Sequence, residues 1–264
     1  MKVTLLGLPW DLDSSYHRGA ALAPPRIRAV LKNESTNSSN EDGIDVLEHI
    51  EDAGDLDLEA AADPRTAIEE GVDGLLRAGR LPLLLGGDHS VTWPIVRAMS
   101  RHHENLTILH IDAHSDLYDT LYGSRTSHGC PFARILEEGR ARRLVQLGIR
   151  TLNGPQREQA ERFGVEIVPM RAGIPAMLEM LSTLTGPLYL SLDLDVLDPA
   201  FAPGISHPEP GGLSTRELVT LIQAIPAGLL VGADLVELNP GNDTRDMTAR
   251  VAAKVLKEIV GRLI

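Results

Sequence analysis

The sequence predicts an α/β fold built on a mostly parallel sheet. Two observations carry this expectation. Apolar runs of strand length alternate with helix-like segments from one end of the chain to the other. Several of those runs are continuously apolar, such as LPLLL at 81–85 and LLVGADLV from 229, as strands buried on both faces must be. Such alternation is compatible with an open doubly wound sheet or with a closed barrel, and the pattern by itself does not separate them.

In order, the strand candidates are 2–8, 44–49, 81–85, 106–111, 143–149, 165–168, 187–192 and 229–235. The helix candidates are 24–32, 64–78, 90–102, 130–138, 155–163, 174–184, 214–224 and 244–263. The stretch KNESTNSSNED at 32–42 is the one low-complexity segment. It reads as a polar surface loop, because the same alternation lies on both sides of it. The loop from Asp195 to Leu213 is long and rich in Pro and Gly, which in a compact domain points to function. A chain of 264 residues with 43% hydrophobic content buries a large core, and one domain over 1–264 is the better expectation.

Charge and cysteine content narrow the function. A net charge of -12 argues against nucleic acid, whose phosphates demand Lys and Arg, and permits cations. The single cysteine, Cys130, excludes an intrachain disulfide and a cysteine-built zinc site, and fits a reducing cytoplasm. No run approaches the roughly 20 apolar residues of a spanning helix, and the N-terminus reads as a first strand, not a signal peptide.

The chemistry lies at strand ends. LPLLLGGDHS (81–90), LTILHIDAHSD (106–116), LYLSLDLDVLDP (188–199) and LLVGADLVELNP (229–240) each run from an apolar strand into polar or acidic residues. Ligands of open α/β sheets bind beyond the carboxyl ends of strands, and bare carboxylates buried there need a cation or strong hydrogen bonds. Asp112, His114 and Asp116 fall at i, i+2 and i+4, so extended backbone would aim all three into one pocket; Asp193 and Asp195 repeat the spacing. With His89 they make four carboxylates and two imidazoles, more than one catalytic zinc uses and suited to two octahedral ions sharing bridges. An oxygen-rich set of this kind favours Mn(II). A lone DxD is more often a turn device than a ligand pair, and a lone His89 could be a satisfied core histidine; it is the joint set that resists a purely structural explanation.

The segments GGDHS (86–90), DAHSD (112–116), SLDLDVLDPAFAPG (191–204) and DLVELNP (234–240) resemble the arginase/agmatinase ureohydrolase family in order and spacing. SHGCPF (127–132), GIRTLN (148–153), HPEPGGLSTREL (207–218) and the C-terminal AAKVLKEI extend the likeness, which is weak only before about residue 80. The resemblance implies a three-layer α/β/α fold with about eight parallel strands and a homo-oligomer, trimer or hexamer. It implies two Mn2+ per chain: one held by His89, Asp112, Asp116 and Asp193, the other by His114, Asp112, Asp193 and Asp195, with Asp112 and Asp193 bridging. Two such cations would make a bound water nucleophilic at neutral pH. The resemblance further implies that Asp116 orients this nucleophile, that Glu237 pairs with the guanidinium, and that His128 passes a proton to the leaving amine. Without it, His128 would read as a surface histidine and Glu237 as a turn-adjacent acid. Cys130 reads as an inert neighbour.

The expected substrate is a small guanidino compound, L-arginine or agmatine first, with guanidinobutyrate, another guanidino acid or formimidoylglutamate behind. Animal-type and Bacillus-type arginases carry Asn where this chain has Tyr118, and their Asn before the shuttle histidine is replaced by Thr126; the sequence looks more like the agmatinase-like branch that holds the plant arginases. His207 and Glu209 are candidates for the pocket mouth, and Arg125 for a basic residue near the entrance. Two other enzyme classes compete. A metallophosphoesterase shares the Asp-x-His of 112–114 but lacks the later motifs of that class in order, and deacetylase relatives of the same fold usually keep one zinc. A non-catalytic metal-binding homologue is disfavoured by the full set of ligands with Glu237 and His128.

Overall fold

A computed structural model describes residues 2–264. Its strands are β1 (Val3–Gly7), β2 (Ile50–Asp55), β3 (Leu81–Leu85), β4 (Thr107–Ile111), β5 (Arg143–Leu147), β6 (Glu166–Val168), β7 (Leu188–Asp193) and β8 (Leu230–Val236). They form one sheet in the order β2-β1-β3-β8-β7-β4-β5-β6, parallel at every pairing. The sheet is open, with β2 and β6 at its edges, so the barrel is excluded.

The helices are α1 (Ala23–Leu31), α2 (Pro64–Arg77), α3 (Thr92–His102), α4 (Pro131–Glu137), α5 (Gly154–Phe163), α6 (Gly173–Ser182), α7 (Thr215–Gln223) and α8 (Met247–Leu263). They divide between the two faces. Alternate strand residues such as Leu5, Leu83, Leu109 and Leu190 pack with Ile27, Met177, Leu221 and Leu256 of α1, α6, α7 and α8. Leu6, Leu84, Ile108 and Tyr189 point the other way, onto Ile68, Ile95 and Phe132 of α2, α3 and α4. The period-2 pleat thus serves two cores at once, which is why these strands are apolar without interruption. Helix starts follow local chemistry: Asp63 caps α2 ahead of Pro64, and capping boxes open α5 (Asn153 with Gln156) and α7 (Ser214 with Glu217).

One strand expectation fails. Residues 44–49 hold a 3-10 turn at Val46–Glu48, started by Asp45 accepting the Leu47 N–H, and the second strand is IEDAGD at 50–55. That strand is an edge, paired only to β1 and mostly exposed, so burial never selected apolar residues for it. Helix α8 begins at Met247, three residues later than the pattern suggests.

Candidate metal centre and substrate cleft

Four central strands, β3, β8, β7 and β4, end side by side and deliver His89, Glu237, Asp193 and Asp112 to one place. After β3 the chain turns through Gly86 and Gly87. A Cβ on Gly87 would sit 1.8 Å from the Trp10 carbonyl oxygen, so only glycine lets this loop cross the N-terminal segment. Asp88 then accepts the Ser90 N–H at 3.0 Å and starts the short 3-10 turn that presents His89.

The carboxylates converge, but not by the alternation of extended backbone. Strand β4 stops at Ile111, and Asp112 folds back to accept the His114 N–H. Asp193 likewise closes a turn, accepting the Asp195 N–H at 2.7 Å at the start of a 3-10 turn over Leu194–Val196. Asp195 in turn accepts the Ala113 N–H at 3.1 Å and ties the two turns together. Asp116 lies at φ 47 and Glu237 at φ 66, left-handed conformations that cost a non-glycine residue about 1 kcal/mol or more.

All six candidate ligands meet. His89 Nδ1 lies 3.2 Å from one oxygen each of Asp112, Asp116 and Asp193. None of the three contacts has hydrogen-bond geometry, and this nitrogen is buried without a partner. His114 Nδ1 lies 2.8 Å from Asp195 and 3.6 Å from Asp112. Burial, reinforced by the charges of Asp195 and Asp112, pushes the Asp193 carboxyl far above the usual carboxylate range, and Asp195 is raised to about 7 by burial and by Asp112. Burial opposes protonation of His114, yet Asp195 and Asp112 raise it to about 12. A cluster that cannot ionise all its acids without borrowing protons, around a buried nitrogen equidistant from three carboxylate oxygens, has the donor chemistry of a hard-cation site.

Behind the cluster lies a set of polar residues that the sequence reading passed over. His89 Nε2 donates to Ser191 Oγ at 2.9 Å, and Ser191 donates to Asp234 at 2.8 Å. Asp234 also accepts from Thr92 (2.9 Å) and Tyr189 (2.8 Å). This chain fixes the tautomer that leaves Nδ1 free to bind a cation. His110 Nε2 donates to Asp112 at 2.6 Å, while its Nδ1 accepts from Gln146 at 2.9 Å. With both ring nitrogens engaged, His110 supports Asp112 and is not itself a candidate ligand. The signal for these residues was present: Ser191, Asp234 and His110 are polar residues inside strands that are otherwise apolar and fully buried.

The cluster floors a cleft of about 200 Å³ whose lining includes Ser15, Tyr118, His128, Thr151, Gln156 and His207 beside the acids. Glu237 Oε1 accepts the His89 N–H at 2.9 Å and lies 3.4 Å from His128 Nδ1, while Oε2 is buried and unpartnered. His128 is buried, not a surface residue. Burial disfavours its charge, but Glu237 raises it to about 9. Its Nε2 meets Ser15 Oγ at 2.8 Å, and its ring stacks on His207 with centroids 4.5 Å apart. Ser15, from the N-terminal segment where the sequence is least informative, is a further residue missed.

Two candidates for the cleft mouth do not line it. Arg125 points away, bonded to Asp119 (2.5 Å) and Glu137 (2.8 Å), and does not line the cleft. Glu209 is absent from the lining as well; its carbonyl oxygen receives the Arg150 guanidinium at 2.6 Å. Cys130 is buried, with burial raising its thiol to about 11, as an inert neighbour would be.

The model of the arginase family matches residues 1–261. The chain belongs to the arginase family. Among its relatives in the family, Arginase 1, mitochondrial, of Arabidopsis thaliana is 45% identical over 276 residues, covering 98% of this chain and 80% of that protein. The agmatinase of Bacillus anthracis is 37% identical, covering 98% and 91%. The solved structure of arginase from Medicago truncatula superposes with a TM-score of 0.92 at 41% identity, covering 99% of this chain and 87% of that one. Arginase-family relatives are hydrolases acting on guanidino compounds, and the sheet described above is the arginase-like α/β fold.

Proposed function

We propose that this ureohydrolase hydrolyses L-arginine to urea and the corresponding amine with two Mn2+ ions per chain. The observation that carries the metal half is the unpartnered His89 Nδ1 facing three carboxylate oxygens at 3.2 Å each. His89, Asp112, Asp116 and Asp193 would hold one ion, and His114, Asp112, Asp193 and Asp195 the other. Four carboxylates with two imidazoles favour Mn(II) over zinc. When bound, the pair supplies Lewis-acid charge that makes water a nucleophile at neutral pH.

The chain's own residues do the rest. Glu237 Oε2, buried and free, accepts the guanidinium N–H groups and holds that planar cation against the acids. Asp116 accepts a hydrogen bond from the attacking water and aims it at the guanidinium carbon. His128, between Glu237 and Ser15, holds the proton that the leaving amine takes when the C–N bond breaks.

L-Arginine is favoured because the relatives titled arginase share more of this sequence than the agmatinase does. Its α-carboxylate would meet neutral donors, since the lining holds Ser15, Tyr118, Thr151 and Gln156 but no Lys or Arg. That same lack of a basic residue favours agmatine as the second reading. Urea release from L-arginine, agmatine, guanidinobutyrate and formimidoylglutamate, run in parallel on manganese-loaded enzyme, separates them. Preference for L-arginine by kcat/KM is expected; preference for agmatine overturns the substrate assignment.

A further inference from the structure

The polar segment 32–42 has no part in the cleft. It folds onto α8 and closes a separate cavity of about 240 Å³, lined by Val30, Ser35, Thr36, Arg250, Ala253, Lys254 and Lys257. Arg250, Lys254 and Lys257 are spaced i, i+4 and i+7, so one face of α8 presents all three.

The charges here do not cancel. Glu41 and Glu258 are the acids bonded to cations at this face, and both are already engaged. Glu41 is bonded to Arg216 and lies 3.2 Å from Lys254. Glu258 is bonded to Lys254 and to Gln223. Two acids thus answer Arg216 and Lys254. Arg250 and Lys257 have no carboxylate within ion-pair distance among the described residues.

Lys257 is the telling member. It is only 4% exposed, in a chain of net charge -12. Its ammonium donates to neutral oxygens alone, the Asn37 carbonyl at 2.9 Å and Thr36 Oγ1 at 3.3 Å, which leaves one of its three N–H groups over. Arg250 bonds Ser35 Oγ and keeps most of its five donors free. A desolvated lysine without a bonded counter-ion is costly, and burial, with Lys254 beside it, pulls its affinity for the proton down against the more distant charge of Glu258.

We infer that this cavity is a binding site for a phosphate-type oxyanion, held between Lys257 and Arg250. Two uncompensated cations match a dianion, and the unused N–H groups of Lys257 and Arg250 supply donors for a tetrahedral group with several acceptor oxygens. The cavity has room for free phosphate or for a small phosphate monoester. Binding would also fix the polar loop to α8, giving a stretch that no catalytic argument explains a ligand of its own.

Calorimetric titration of inorganic phosphate into the metal-loaded enzyme tests this, with sodium sulfate and, at matched ionic strength, sodium chloride as the other arms. Phosphate is expected to bind with Kd of about 1 mM or tighter and chloride not at all. Arg250→Ala, an exposed position whose loss the fold tolerates, should weaken phosphate at least about tenfold while metal content is unchanged. Lys257→Met should abolish it. No phosphate binding up to about 10 mM overturns the site. So does undiminished affinity in Arg250→Ala, which would place the anion at the metal centre. Equal heats from chloride would reduce the effect to general screening and overturn it too.

Discussion

Glu237 accepts the backbone N–H of His89 through one carboxylate oxygen and leaves the other free in the cleft. The acid that faces the substrate and the imidazole that faces the metal cluster are therefore one unit, locked across the ends of β8 and β3. Neither can shift without the other.

This coupling makes Glu237→Gln an informative variant. The amide oxygen can still accept from His89, so the fold and the metal content should persist, while the charge that pairs with a guanidinium is gone. Loss of one partner of a desolvated ion pair costs about 2–5 kcal/mol. Urea-release kinetics should show kcat/KM lower by about two orders of magnitude or more. Wild-type kcat/KM in this variant would remove Glu237 from the substrate site.

Metal stoichiometry checks the carboxylate cluster. Dialysed, manganese-loaded wild type should retain about two ions per chain by elemental analysis, and chelation should both abolish activity and lower Tm, since ligand binding to the folded state is stabilising. Asp195→Asn should fall to about one ion per chain, because His114 then loses its closest carboxylate. A wild type saturating at a single ion would leave the two-metal arrangement without support.

Ser191→Ala removes the hydroxyl between His89 and Asp234. The ring then loses the partner that orients it, and Asp234 loses one of its three side-chain donors. Manganese affinity should drop about 10–100-fold, while saturating metal restores most of kcat. Ser191→Thr, which keeps the hydroxyl, should recover part of the affinity. An unchanged metal titration in the alanine variant would confine the Ser191 chain to packing.

The His128–Glu237 pair gives the metal-free protein a pH signature. The folded-state value of His128 is raised to about 9 from an ordinary 6.5, with the Glu237 charge outweighing the burial that opposes it. A raised histidine stabilises fully below its unfolded value and loses that contribution as pH rises through the folded one. The stability gap between chelated wild type and His128→Asn should thus be full below about pH 6.5, at up to about 3 kcal/mol, shrink above it, and close above about pH 9. Urea-denaturation midpoints across this range report it; a gap that widens with pH would reverse the assignment.

Much of this was legible in the sequence because burial writes itself into composition. Strands β3, β4, β7 and β8 are apolar on both faces, so their polar termini stood out and all six candidate ligands could be named. What was not legible was how the carboxylates meet. Spacing at i, i+2 suggested extended backbone, whereas Asp112 and Asp193 close turns on their own neighbours. The edge strand at 50–55 was missed because solvent places no demand on its side chains. Arg125 could not be placed from the sequence for a similar reason: the reach of a long exposed side chain depends on which acids surround it, and Asp119 and Glu137 hold it away from the cleft.

The place of the site within the strand order has a consequence for how the molecule fails. The four strands that end at the cleft are the middle four of eight, with β1 and β2 flanking one side and β5 and β6 the other. Fraying begins where a strand has a single neighbour, so the first local openings fall at β2 and β6, each two hydrogen-bonded ladders from the nearest strand of the catalytic apparatus. Such a molecule would shed its margins under mild stress and go on turning over substrate, then lose activity and residual structure together in one late step.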